Sequence, residues 1–290
     1  MADVNKSQLN KSAVNSALIS TLFVTLLFLP SVQDPFNSPK LWLLILFSAW
    51  CLGFLFLQFN QFKTISKPIL SLVTIFAVSI FISGVLTQQI YTAFFGTYQR
   101  RDGVLSYFAL IILLLVLLIN IRFEYSKSVK QILVICASVI GIYGFLQSVG
   151  SDFVRWNNPY NAIIGTLGNP NFASAMMAIF ATFLVVQFIT ANHFYKFLYL
   201  ALILLLLYNI VHSQSRQGLV AFGAGTGFAL SLLAYKKSKR FGSLVFVSYL
   251  IVGLLAIAGM LQRGPFEPIL YKESVSIRGF YWRAAIEMFK

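Results

Sequence analysis

Nine runs of apolar residues, each about as long as a bilayer crossing, follow one another along the chain. A helix that spans the hydrocarbon needs about 20 mostly apolar residues, within a range of roughly 17 to 25. By that measure the spans lie near 14–30, 41–59, 68–87, 103–121, 129–149, 170–191, 196–212, 217–235 and 241–261. Water does not solvate such a chain all round. Only 10% of its residues are charged and 58% are hydrophobic, whereas soluble domains carry about 25% charged residues. The expected fold is all-α, a polytopic transmembrane bundle of about nine spans over residues 1–261. An outer-face helical tail, residues 262–290, begins a loop domain.

The N-terminal run looks like a signal peptide only in having Lys6 and Lys11 before it. It extends from Ala13 to Pro30 with no small-residue cleavage site behind it, so it is read as a retained first span. Cys51 and Cys136 each lie within an apolar run and lack metal-ligand spacing. They are expected to behave as small hydrophobes, and no metal or other cofactor is expected. The formal net charge of +14 does not point to nucleic acid, because the basic residues fall between spans rather than on one continuous face.

Those basic residues orient the chain. With the N-terminus in the cytoplasm, ten lysines and two arginines fall inside, with "YKKSKR" as the strongest anchor. Before the tail, the outside connections hold only Lys40, Arg100, Arg101, Arg155 and Arg216. This bias follows the positive-inside rule. Counting the tail, the outside carries seven arginines and three lysines. Lysine suffices as an anchor beside anionic lipid, whereas the guanidinium fork suits phosphate and carboxylate. An arginine-rich outer face therefore suggests a surface for an anionic ligand such as a diphosphate.

Four punctuated stretches fall on that face. "FFGTYQRRDGVLSYF" carries Arg100, Arg101 and Asp102 just before a span, and reads either as an aromatic-anchored loop or as a ligand contact. "GSDFVRWNNPYNAIIGTLGNPNFAS" carries Arg155, then Trp156 and Tyr160 as interfacial aromatics, then Asn169 and Asn171 around Pro170. Asn169 is the expected cap of the next helix, with Pro170 in its first position. Such a helix start binds anions through its free N–H groups, or is simply a well-made membrane helix. "VHSQSRQGLVAFGAGTG" holds Arg216 close to hydrocarbon, where a charge is costly and usually functional. It also holds His212, a candidate acid or base, and glycines spaced for close helix packing. In the tail, "ESVSIRGFYWRAAIEMFK" places Arg278 and Trp282 on one helical face, while Arg283 and Glu287 form a supporting pair on another.

In this order the motifs resemble the O-antigen ligase/polymerase family. "GTLGNPNFAS" and "SQSRQG" each open a span, and "SIRGFYWRAAIEM" follows a further one. "FFGTYQRRDG" is similar to that family's early outer loop, and "GFLQSVGSDFVRW" to the approach to its asparagine motif. The resemblance covers roughly residues 90 to 290. It implies a metal-independent glycosyltransferase at the outer face of the bacterial cytoplasmic membrane. Such an enzyme moves a glycan from an undecaprenyl-diphosphate carrier to an acceptor hydroxyl on a lipid core, a glycan or a protein. The implied partners are thus the lipid-linked glycan, the glycan or lipid acceptor, and membrane lipids.

On that pattern Arg216 and Arg278 would stabilise the departing diphosphate. Arg100, Arg101, Arg155, Asn169, Asn171, His212 and Trp282 would line the substrate site. The family continues past "WRAAIEMF" into a larger outer loop bearing a histidine, the expected general base, and then into more spans. The resemblance therefore implies a fragment of such an enzyme that ends before its general base, a role His212 is not expected to take over. A transporter and a non-catalytic membrane scaffold are the alternatives. The scarcity of ionisable residues within the spans weighs against a transporter.

Overall fold

A computed structural model describes residues 2–120, 125–156, 163–271, 281 and 284–288, with side-chain surroundings from residue 7 onward. Its long helices are α1 (Ala2–Leu26), α2 (Asn37–Leu57), α3 (Lys67–Leu86), α5 (Val104–Asn120), α6 (Ser126–Ser148), α7 (Pro170–Thr190), α8 (His193–His212), α9 (Arg216–Lys237) and α10 (Lys239–Met260). Two short helices, α4 (Ile90–Phe95) and α11 (Glu267–Leu270), are also described, and residues 281 and 284–288 are helical too. No strand occurs among the described residues.

One long helix stands at each expected span, and seven of the nine are long and apolar enough to cross a bilayer. The other two fall short for different reasons. Helix α1 starts at residue 2 rather than near 14, because Lys, Gln and Ala favour helix and nothing there breaks it; its first half, "ADVNKSQLNK", is polar. Helix α5 is mostly apolar, and its described part, Val104–Asn120, has 17 residues and rises about 26 Å, against a hydrocarbon core of about 30 Å. The seven helices support a multi-pass membrane protein. So does the apolar surface: Leu72 is 67% exposed, Leu86 79% and Phe197 78%. Contiguous apolar area of this kind belongs in lipid rather than in water.

The chain divides into two compact units. The first contains residues 1–139 and 166–168. Here α1, α2 and α5 pack together around Ala13, Ala17, Leu44, Cys51 and Val116. At the end of this core lies a reciprocal amide pair. Gln58 Nε2 donates to Asn120 Oδ1 and Asn120 Nδ2 donates to Gln58 Oε1, each at 2.8 Å. Gln58 Nε2 also reaches Asn10 Oδ1 at 2.9 Å. Both amides are essentially inaccessible, and each satisfies the other.

The second unit contains residues 140–165 and 169–290. Here α7 packs against both α8 and α9, and α9 against α10. Because only two residues join α7 to α8 and three join α8 to α9, the chain reverses twice. Helices α7 and α9 therefore start at the same end. Past the end of α10 the chain folds back, so that a Cβ on Gly259 would sit 2.7 Å from the carbonyl carbon of Phe266, just before α11.

Candidate functional site

In the second unit the "GNPN" and "SQSRQG" stretches meet. Asn169 caps α7 as its sequence suggests: its side chain accepts from Asn171 N at 2.9 Å, and Pro170 takes the first helical position. The side chain of Asn171 is engaged across helices, where its Oδ1 accepts from Ser215 Oγ at 2.8 Å. Ser215 is the residue before α9 and would ordinarily cap it. With its hydroxyl turned to Asn171, α9 has no side-chain cap, and its first-turn N–H groups remain available. Arg216 is the first residue of this uncapped helix.

Close packing holds the two helix starts together. A Cβ on Gly218 would lie 2.6 Å from Ser174 Cβ and 2.9 Å from Ser174 O, so only glycine fits there. Further along, Thr182 Oγ1 and Thr226 Oγ1 hydrogen-bond at 3.2 Å. Ser213, Ser215 and Ser174 are all buried, whereas Arg216 is partly exposed. Among the described residues Arg216 has no hydrogen-bond or ion-pair partner.

His212 ends α8, three residues before Ser215. Its ring stacks on Tyr208 with centroids 3.9 Å apart, and its Nδ1 lies 2.9 Å from Tyr208 O. A carbonyl oxygen only accepts, so Nδ1 is the donor in this contact. His193 opens α8 at the opposite end.

Arg155 is exposed on the segment that follows α6. That segment is organised by Asp152, which the sequence reading passed over. Tyr143 Oη lies 3.3 Å from both Asp152 oxygens, Gln147 Nε2 donates to Oδ2 at 2.9 Å, and Val154 N donates to Oδ1 at 3.0 Å. Trp156 Nε1 donates to Tyr143 Oη at 3.1 Å, and Gly165 N donates to Gln147 Oε1 at 2.8 Å. The only sequence signal for this network is a single carboxylate just past a span end, five residues after a glutamine. Deeper in the unit, Asn209 Nδ2 donates to Gly141 O at 2.7 Å, while its buried Oδ1 has no partner among the described residues.

In the first unit, Arg101 and Arg100 differ. Arg101 has a positive φ of 54° and its side chain is engaged three ways. Its Nε donates to Ser38 Oγ at 3.1 Å and lies 3.9 Å from Asp34 Oδ2, and its guanidinium covers the Tyr98 ring at 4.8 Å. Asp34 also accepts from the backbone N–H groups of Asn37 and Ser38 at 3.0 and 2.9 Å, which satisfies the start of α2. Arg101 thus fastens the segment before α5 to the start of α2. Arg100 is exposed and pairs with nothing among the described residues.

The structure therefore brings together Asn169, Asn171 and Arg216, with His212 close by in the chain. Arg155 belongs to the same unit, whereas Arg100 and Arg101 belong to the other. Tyr160, Arg278, Trp282 and Arg283 lie outside the described residues. No three His, Cys, Asp or Glu side chains converge as metal ligands among the described residues. The chain matches no family model, no curated protein and no solved structure.

Proposed function

We propose that the chain is a membrane glycosyltransferase of the O-antigen ligase/polymerase type. It works at the outer face of the bacterial cytoplasmic membrane, crosses that membrane about nine times, and keeps its N-terminus in the cytoplasm. The donor is a glycan on an undecaprenyl-diphosphate carrier, and the acceptor is a hydroxyl of a lipid core, a glycan or a protein. One observation carries the reading. Ser215 bonds Asn171 instead of capping its own helix, so uncapped N–H groups and the unpartnered Arg216 stand together at one membrane end.

That arrangement suits the chemistry. Breaking the bond between the anomeric carbon and the carrier phosphate leaves negative charge on the diphosphate. Fixed donors aimed at such charge lower the barrier, because they need no reorganisation as it develops. An uncapped helix start adds the positive end of its dipole. The acceptor oxygen forms the new bond to the anomeric carbon and gives up its proton to a base. We assign that step to Nε2 of His212, whose Nδ1 faces Tyr208 O. The resemblance adds Arg278 as a second cation for the diphosphate, with Arg155 and Trp282 on the carrier or the glycan.

The test is transfer of a lipid-linked oligosaccharide in reconstituted vesicles by the wild-type chain and Arg216→Gln, with diphosphate-lipid binding measured alongside. Loss of both binding and transfer on substitution supports the proposal. Solute flux that depends on Arg216, in the absence of transfer, would favour a transporter. Unchanged diphosphate-lipid binding in Arg216→Gln would sink the site assignment.

A further inference from the structure

Of the five basic residues that stand against the positive-inside pattern before the tail, three line one cavity of the first unit. Lys40, Arg100 and Arg101 surround a space of about 250 Å³ between the start of α2 and the segment that leads into α5. They lie some 60 residues apart in the chain, and lysine was the minority choice on that face. Lys40 occupies the first turn of α2, and its Nζ donates to Thr25 O, in the last turn of α1, at 3.2 Å. Among the described residues no carboxylate pairs with Lys40 or with Arg100. Asp34 is committed to Arg101 and to the start of α2, which leaves Asp102 as the one carboxylate on the cavity wall against three cations.

Asn37, Ser106 and Tyr107 add uncharged polar groups to the wall, and its remainder is apolar. Val24, Leu44 and Leu110 come from α1, α2 and α5 and continue the cavity along the helices. Two cations, Lys40 and Arg100, without a carboxylate partner among the described residues, over a floor of apolar side chains at a helix end, match a ligand with an anionic head and a hydrocarbon tail. A free anion would use the cations and leave the floor idle. A neutral lipid would leave the ammonium of Lys40 without a counter-charge at a depth where lone charges are costly.

We propose that this cavity is a binding site for the phosphate headgroup of an anionic membrane lipid. Lys40 and Arg100 contact the phosphate, Arg101 shapes the wall while tied to Asp34, and an acyl chain runs along Val24, Leu44 and Leu110. The site belongs to the first unit and does not depend on glycosyl transfer, so it would bind lipid in a chain that transferred nothing.

The experiment is native mass spectrometry of the full chain released from phosphatidylcholine vesicles, with and without phosphatidylglycerol. Wild type should retain phosphatidylglycerol in preference to phosphatidylcholine. Lys40→Gln and Arg100→Gln should each weaken that preference about fivefold, the worth of one juxtamembrane cation, and the double variant should abolish it. Lys40→Arg should keep the preference, as should Arg240→Gln, which removes an exposed charge from the other unit. If Lys40→Gln does not fold, Arg100→Gln still decides, because Arg100 is exposed and supports no contact. An unchanged preference in the foldable variants would overturn the proposal. So would displacement of the lipid by inorganic phosphate at comparable concentration, since the ligand would then be a free anion.

Discussion

Arg101 and Arg216 occupy comparable places, each at the membrane-end start of a helix, yet the two units use them in opposite ways. In the first unit the guanidinium is spent on the fold, held by Asp34, Ser38 and the Tyr98 ring. In the second unit Asn171 and Ser215 satisfy one another, and the arginine has no partner among the described residues. A charge near hydrocarbon must be paired or employed. The arginine without a partner among the described residues is therefore the better candidate for ligand chemistry, although the two are alike in sequence.

Substitution of these two arginines tests that contrast most sharply. Arg216→Gln should lower glycan transfer by about 10²–10³-fold, the usual cost of removing one transition-state donor, with thermal stability unchanged. Arg101→Gln should do the reverse, leaving the chemistry largely intact while lowering the melting temperature. If the two variants lose transfer equally, the contrast fails.

Removal of the group that binds Arg101 carries the next largest effect. Asp34→Ala strands a part-buried guanidinium and two backbone N–H groups, and should cost about 1–3 kcal/mol in a denaturant titration. Smaller again, Asn120→Leu should cost about 1–2 kcal/mol by leaving the Gln58 amide unmatched within the helix bundle. The double variant with Gln58→Leu should regain part of that loss, because both polar groups are then gone. A double-mutant cycle showing no coupling would mean that the amide pair is incidental.

The smallest effect is expected at Ser215. Ser215→Ala frees Asn171 and should cost about 0.5–1.5 kcal/mol, the net worth of one hydrogen bond. It should also loosen Arg216 and reduce transfer without abolishing it. Ser215→Asp would instead place a carboxylate at the start of α9, where it would cap the helix and compete with an anionic ligand. A gain in stability with a loss of diphosphate-lipid binding is the expected signature.

The helix positions were largely legible in the sequence, because they follow from local chemistry. Pro68 and Pro170 mark the starts of α3 and α7, and Ser238 caps α10 through Phe241 N at 3.4 Å. Where a polar stretch is also a good helix former, as over residues 2–12, hydropathy alone placed the boundary late. The site was legible in its parts and hidden in its connections. Asn169 as a cap follows from three adjacent residues. The bond between Asn171 and Ser215 links residues 44 apart, and no periodicity encodes it. Likewise, Asp34 sits in "SVQDPFNS", an ordinary turn by its composition. Its role emerges only when Arg101, 67 positions later, comes beside it.

The reciprocal pair of Gln58 and Asn120 has a consequence for how the chain is made. The two residues are 62 positions apart, so at ribosomal speeds of about 5–20 residues per second Gln58 emerges roughly 3 to 12 s before its partner. During that interval α1 and α2 have emerged, and of the two described amide partners of Gln58 only Asn10 is on hand. A half-made bundle therefore carries an open polar claim that only the arrival of α5 closes. The insertion machinery must keep the first two helices within reach, or in contact with water, until the fifth is delivered. A nascent chain stalled just short of Asn120 should accordingly crosslink to that machinery longer than one stalled just past it.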